Sequence, residues 1–363
     1  MKLERSWGRL GMKYRLEDIV EVTMGQSPKS QYYNSEGKGT PFLQGNRTFG
    51  FKRPTFDTYT TLVTKVAKAG DVIMSVRAPV GDLNVTPIDM CLGRGVCSLR
   101  MRNGNQEFLY YMMKYYMPQL LKKESGTVFG SVNRNDINGL WVDIPEDAKK
   151  QQEIARYLAM IDDKIELNIA MNNNLEQQMF AIYKKRFSYV LQGNSTTIGQ
   201  LIAFSNGKKR PNEEGDVPVY GGNGILAYTN KFNSNNCIII GRVGAYCGNV
   251  SYSPKACWVS DNAIEAKSKV STSQLFAYCL LKNAELPSRH IGTGQPLMTQ
   301  GILNAIPCSL PDISEIDAFN NLCEPLQQQI DNNLAENAQL SALRETLLPK
   351  LMSGEIDLPD IVL

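Results

Sequence analysis

Ile165-Glu166-Leu167-Asn168-Ile169-Ala170-Met171-Asn172-Asn173-Asn174-Leu175 and, 165 positions later, Ile330-Asp331-Asn332-Asn333-Leu334-Ala335-Glu336-Asn337-Ala338-Gln339-Leu340 share one pattern. Each sets apolar, Asn, Asn, apolar at steps of three, four and three. The steps continue outward. Ile154, Leu158 and Ile161 precede the first stretch, and Met179 and Ile182 follow it. Phe319, Cys323 and Leu326 precede the second, and Arg344, Leu347 and Leu351 follow. Alternating steps of three and four make a heptad seam, so each stretch is the centre of a long helix with two Asn in its apolar stripe. The two Asn lie symmetrically about position 170. An antiparallel pair therefore sets 170 against 335, Asn168 against Asn337 and Asn172 against Asn333. A slipped register buries amides against leucine and is penalised. Pro325 falls where Met160 stands in the first copy. Either the second helix starts afresh near Leu326 with Pro325 in its first turn, or it bends there. Ser314-x-x-Asp317 resembles a capping signal for a short preceding segment.

The repeat extends beyond the helices. Gly126-Thr127, Ile137-Asn138-Gly139-Leu140 and Ile144-Pro145 match Gly292-Thr293, Leu303-Asn304-Ala305-Ile306 and Leu310-Pro311 at an offset of 166. Gly81 matches Gly248, and Leu16-Glu17-Asp18-Ile19 leading to Gly25 matches Ile198-Gly199-Gln200-Leu201 leading to Gly207. The drifting offset points to loop insertions. Between the helices, Asp71-Val72-Ile73-Met74-Ser75-Val76 and Cys237-Ile238-Ile239-Ile240 read as buried strands, and 108–117 and 274–282 are apolar at helical spacing. The expected fold is mixed α and β. Two similar globular α/β domains, 1–147 and 191–312, alternate with two long helices, 148–190 and, with the C-terminal tail, 313–363. The helices pair as an antiparallel coiled coil, and the repeat has pseudo-twofold symmetry; the alternative is that the Asn are exposed and each helix packs separately on its own domain.

The 363 residues carry a net charge of +3, which hides a segregation. Residues 1–145 hold +7, 146–195 hold 0, 196–311 hold +4 and 312–363 hold −8. Basic globular segments favour polyanionic partners such as nucleic acid. No run approaches the ~18 apolar residues of a membrane span, and Met1-Lys2-Leu3-Glu4-Arg5 has no apolar signal core, so a cytoplasmic protein is expected. The eight cysteines form no Cys-x-x-Cys pair and read as buried thiols. With one histidine, His290, a Ser-His-Asp triad or a His-rich metal site is not expected; His290 itself reads as a hydrogen-bonded loop residue. Neither an (Asn/Asp)-Pro-Pro-aromatic methylase loop nor a phosphate-cradling Gly-x-x-x-x-Gly-Lys-Ser/Thr loop is present. Gly221-Gly222-Asn223-Gly224 reads as a tight turn, and Glu265-Ala266-Lys267 with Asp261 is a chance match to a metal-nuclease pattern.

In order, twice, and separated by seam helices, these elements resemble the specificity (S) subunit of type I restriction-modification enzymes. The resemblance runs from Leu16 to about Gly354. It also rests on Ala69-Gly70-Asp71-Val72-Ile73-Met74-Ser75, on Gln151-Gln152-Glu153-Ile154 opening a helix, and on Leu347-Leu348-Pro349-Lys350-Leu351-Met352-Ser353-Gly354. The second copy departs in carrying Asn236-Cys237 for Gly70-Asp71. The resemblance implies two target recognition domains, each reading half of an asymmetric bipartite site in double-stranded DNA. It implies helices that space them and dock two methylase (M) subunits, with endonuclease/translocase (R) subunits joining. It also implies a non-catalytic chain, with S-adenosylmethionine, ATP and Mg²⁺ bound only by partners. An unrecognised nuclease or methylase site, or a coiled-coil scaffold with two domains for non-DNA ligands, are the alternatives.

Base and phosphate contacts are expected from loop Arg, Lys, Asn, Gln and Ser, because Arg matches guanine and Asn or Gln matches adenine. The candidates are Lys29, Gln44, Asn46, Arg47, Arg53, Arg77 and Arg94 in the first domain. In the second they are Lys208, Lys209, Arg210, Asn223, Arg242, Asn262 and Gln295. Lys208-Lys209-Arg210 reads as a phosphate clamp. Tyr220, Tyr246 and Phe129 are aromatic neighbours that can stack or pack, and core packing is the expectation for each.

Overall fold

The structure, a computed structural model, describes residues 11–122, 130–269, 273–292 and 294–356. Gly126, Thr127, Phe129 and Thr293 lie outside the described residues. The chain divides into two compact units. One comprises 1–168 with 336–363 and the other 169–335, so each takes part of both long helices.

In the first unit, strands β1 (Val20–Met24), β2 (Val72–Ser75), β3 (Leu83–Val85) and β4 (Val96–Met101) form an antiparallel sheet in the order β1-β4-β2-β3. The apolar run of β2 follows from burial on both faces. Val72 and Met74 join the large core under helix α1 (Gln106–Lys122), and Ile73 joins a smaller core under a second, five-stranded sheet. Helix α2 (Ala148–Phe187) enters from the short ribbon of Gly11–Arg15 and Trp141–Pro145. Gln151 anchors its first turn. Its Nε2 donates to Pro145 O at 2.8 Å, and its Oε1 accepts from Asn103 and Asn105 Nδ2, each at 2.9 Å. Ile154, Leu158, Ile161 and Ile165 then bury one face, each contributing about 1.5–3 kcal/mol relative to exposure.

The second unit repeats the plan. Strands β5 (Ile202–Asn206), β6 (Cys237–Gly241), β7 (Val250–Ser253) and β8 (Ala263–Ser268) are ordered β5-β8-β6-β7. Ile238 and Ile240 face helix α3 (Gln274–Asn283), and Cys237 and Ile239 face a small three-stranded sheet. All eight cysteines are buried and unpaired.

Helix α4 spans Ile313–Ser353 without a break. Of the two alternatives at Pro325, this excludes a fresh start near Leu326. Pro325 is exposed, and its ring removes only the bond to the carbonyl of Asn321, itself exposed and open to water. The cap also differs from the sequence reading. Asp312, not Ser314, closes the helix start: its Oδ1 accepts from Ser314 N at 2.9 Å and from Ser314 Oγ at 3.0 Å.

The helices run antiparallel where they meet inside each unit. In the first, Arg344 Nη1 donates to Asp162 Oδ1 at 2.6 Å, and Asn168 Nδ2 donates to Asn337 Oδ1 at 2.9 Å and to Glu336 Oε2 at 2.7 Å. Leu347 is buried here and Leu340 half-buried. In the second, Asn333 Nδ2 donates to Asn172 Oδ1 at 2.7 Å, and Leu175, Leu326 and Ile330 are half-buried. Toward the end of α2 the buried face is Met179, Tyr183 and Phe187, whereas Ile182 of the sequence seam is only partly covered. The face turns because Phe276 of α3 and Phe319 of α4 offer aromatic edges to Tyr183 and Phe187.

Candidate nucleic-acid interface

In the first unit, Lys29, Gln44, Arg47 and Arg94 line one cleft of about 940 Å³. Two loops touching through backbone build it. Gly93 N donates to Leu43 O at 2.8 Å, and Gly95 N donates to Gln44 O at 2.9 Å. A Cβ at Gly93 or Gly95 would lie 2.6 or 2.5 Å from those oxygens, so only glycine permits the approach. Gln44 and Arg94 are thereby presented side by side. Ser27 ties them: its Oγ accepts from Arg94 N at 3.0 Å and donates to Gln44 Oε1 at 3.3 Å. Sequence reasoning passed over Ser27 and the Gly-Arg-Gly at 93–95, which was the visible signal of this approach.

The cations differ in their partners. Arg47 is paired with Asp57 at 2.7 Å, and this guanidinium holds the Asp57 carboxyl below its usual range. Arg53 is paired with Glu166 at 2.7 Å, and Asn46 Nδ2 donates to Asp82 Oδ2 at 2.5 Å in an adjoining cleft of about 470 Å³. Among the described residues no carboxylate pairs with Lys29, Arg77 or Arg94, and all three are exposed. Arg77 lies away from the cleft, its backbone bridged to Ser131.

In the second unit, Lys208, Lys209 and Arg210 follow β5 on an exposed loop, and no carboxylate pairs with them among the described residues. Lys208 N donates to Val259 O at 3.0 Å, and Trp258 Nε1 donates to Lys208 O at 3.1 Å, so the backbone is held while the side chains stay in solvent. Asn223 is exposed at the turn between Val217–Gly221 and Gly224–Thr229. Arg242 is half-buried, its Nη1 on Asp261 O at 3.4 Å and its N–H on Asn262 O at 3.0 Å. Asn262 and Gln295 are exposed. Tyr220 packs on the smaller core, whereas Tyr246 stands 49% exposed, contrary to the expectation of core packing. His290 is exposed, with no side-chain hydrogen bond among the described residues.

Glu265 sits inside the second sheet. Burial pulls its carboxyl upward, but the hydroxyls of Ser234 and Ser205 and the Lys267 ammonium outweigh that and hold it low. Its hydrogen bonds are structural, and no group of three or more His, Cys, Asp or Glu suited to a metal ion occurs among the described residues. Among the same residues, no helix is long and apolar enough to cross a membrane.

The sequence model of the type I restriction-modification DNA specificity domain matches residues 11–177 and 195–342, which is both globular segments with most of both helices. The chain belongs to this family. It is a non-catalytic specificity subunit, of the kind that supplies DNA recognition to a restriction-modification system. A Methanocaldococcus jannaschii protein named a type I restriction enzyme specificity subunit is 36% identical over 163 residues, covering 44% of this chain and 38% of that one. A second specificity subunit from the same organism is 22% identical over 96% of this chain and 94% of its own length. The crystal structure of a type I system S subunit from M. genitalium shares the fold across 100% of this chain and 99% of that one, with a TM-score of 0.54 at 19% identity.

Proposed function

We propose that each unit of this specificity subunit reads one half of an asymmetric bipartite site in double-stranded DNA. The reading rests on one observation: the same sheet-and-helix frame is built twice, and each copy presents exposed cations that no carboxylate pairs with among the described residues. These are Lys29 and Arg94 in the first and Lys208, Lys209 and Arg210 in the second. A carboxylate-paired arginine has its charge already neutralised, whereas these groups remain open to phosphate or to guanine. Gln44, held by Ser27 beside Arg94, is the first unit's candidate base reader.

The long helices pair as an antiparallel coiled coil with pseudo-twofold symmetry, and they dock two methylase subunits, with endonuclease/translocase subunits joining that core. The sequence repeat and the Asn168–Asn337 and Asn172–Asn333 hydrogen bonds support this pairing. S-adenosylmethionine, ATP and Mg²⁺ belong to those partners, and the assembly works in the cytoplasm. Mapping methylated adenines in a host carrying the chain with its methylase subunit tests the reading. One bipartite motif, dependent on this chain, is expected. Metal-dependent cutting by the pure chain, or methylation indifferent to it, would overturn the reading.

A further inference from the structure

In the first unit the outer edge of the sheet is closed by the chain itself. The segment Gly50–Arg53 lies along β3. Val85 N donates to Lys52 O at 2.8 Å, Gly50 N donates to Asn84 Oδ1 at 3.0 Å, and Asn84 Nδ2 donates to Gly50 O at 3.0 Å. Its two cations then reach the helices. Lys52 Nζ lies 3.1 Å from Glu107 on α1 and 3.9 Å from Asp163 on α2, and Arg53 Nη1 lies 2.7 Å from Glu166. Lys52 is 4% exposed, and those carboxylates compensate its buried ammonium.

The second unit repeats the frame without the segment. Gln106 and Gln274 make the same bonds. Each Oε1 accepts from the end of the last sheet strand, at Met101 N and Ser268 N. Each Nε2 donates to the residue two positions before the inner strand (Gly70 O) or one before it (Asn236 O). Glu107 therefore corresponds to Leu275. Along the ladders, Val85 faces Val72, which faces Leu99, and Tyr252 faces Ile238, which faces Ala266. Tyr252 thus stands where Val85 does. At the helical offset of 165, Asp163 corresponds to Gln328 and Glu166 to Asp331.

Where the first unit holds Gly50–Arg53, the second has an open groove of about 770 Å³ lined by Tyr252, Leu275, Glu324, Gln328 and Asp331, among others. Gly241 N donates to Asn249 O at 2.8 Å, so by the alternation of the ladder Ile239 bonds toward β7 and Ile238 toward β8, and the Tyr252 N–H opposite Ile238 points to the open edge. Glu324 and Asp331 have no ion-pair partner among the described residues. Asp331 is half-buried. Burial holds its carboxyl above the usual range, against the hydrogen bond from Gln327 at 2.9 Å and the more distant Lys255. Carboxylates at the groove repel phosphate, so it is no part of the DNA face. An open strand edge beside uncompensated carboxylates suits an extended polypeptide carrying a cation.

We infer that this groove takes an extended basic segment of the methylase subunit. The segment completes the sheet edge as Gly50–Arg53 does in the first unit. A backbone carbonyl accepts from Tyr252 N, and an arginine or lysine pairs with Asp331 beside Glu324. The inference rests on the proposed docking of methylase subunits.

The test uses the full chain with its purified methylase subunit. A photo-reactive benzoylphenylalanine placed at Gln328 is expected to cross-link to a methylase peptide containing Arg or Lys. A synthetic peptide of residues 46–57 of this chain is expected to compete for that cross-link. The pair Glu324→Gln and Asp331→Asn, shown folded by an unchanged melting temperature, is expected to weaken methylase binding at least tenfold. If wild-type chain and methylase form no complex, the docking proposal itself falls, and this inference with it. If the complex forms but the double variant binds as wild type, or the cross-link joins two copies of this chain, the groove inference alone is overturned.

Discussion

Which basic side chains reach a phosphate is decided residue by residue, by the carboxylates around them. Among the described residues Lys208, Lys209 and Arg210 have none, and their loop backbone is pinned by Val259 and Trp258. Changing all three to Ala is expected to weaken binding to every DNA sequence alike. It should also reduce the slope of log affinity against log salt by about 0.9 for each phosphate these side chains neutralise. Titrating specific and scrambled duplexes at several salt concentrations measures both, and a changed base preference would instead make these residues base readers. Lys114 shows the opposite electrostatics. Burial, and then repulsion from Arg344, lowers its pKa from 10.5 to about 8, against attraction from Asp162, with its ammonium 4.6 Å from the Tyr110 ring centroid. Folded protein therefore binds fewer protons here than unfolded chain between about pH 8 and 10.5, and stability rises with pH across that window. Below it the cost of charging Lys114 is fully present. Lys114→Met should stabilise the protein at pH 7 and flatten that rise in denaturant melts.

At the scale of elements, the long helices are held by polar groups as much as by leucine. Asp162 is fully buried and takes Arg344 at 2.6 Å and the Tyr111 hydroxyl at 2.8 Å. Removing one partner strands a buried charge. Arg344→Met is expected to cost about 3–5 kcal/mol, and adding Asp162→Leu to recover much of it. Thermal melts of the single and double variants decide the point. The sequence showed Arg344 as a break in an apolar seam, but its partner lies 182 positions away, out of reach of any local pattern. The turn of the buried face onto Tyr183 and Phe187 was hidden for the same reason. A heptad reading extrapolates one helix, whereas the face is set by Phe276 and Phe319 on other elements.

For the whole molecule, the proposed coiled coil makes a quantitative prediction about the DNA site. Deleting one heptad from a single helix mismatches the Asn layers and is expected to abolish specific binding. It leaves buried amides unpaired at about 1–3 kcal/mol each. Deleting matched heptads from both helices, away from Asn168, Asn172, Asn333 and Asn337, removes about 10 Å of helix. That corresponds to about three base-pair steps. Methylation mapping should then show a shorter unread gap, or no methylation where the partners reject the change. An unchanged gap with unchanged half-sites would remove the helices as the ruler.

The sequence by itself determined the duplicated plan, the mixed α and β class and the two long helices. Heptad spacing, Gly and Pro punctuation and a repeat that keeps its order while its offset drifts are local or self-referential patterns, legible without any knowledge of tertiary packing. It also named loop cations as candidates for the proposed interface. Tertiary structure alone decided which of those are free. Arg53 and Lys29 look alike in sequence, yet Glu166 takes the first and no described carboxylate takes the second. It alone set Gln44 beside Arg94, because two loops far apart in sequence meet through glycine backbone. It alone showed one sheet edge covered and the other, among the described residues, bare. Pairing of charges and closure of edges depend on distance in space, and a repeat that preserves the frame leaves both free to differ.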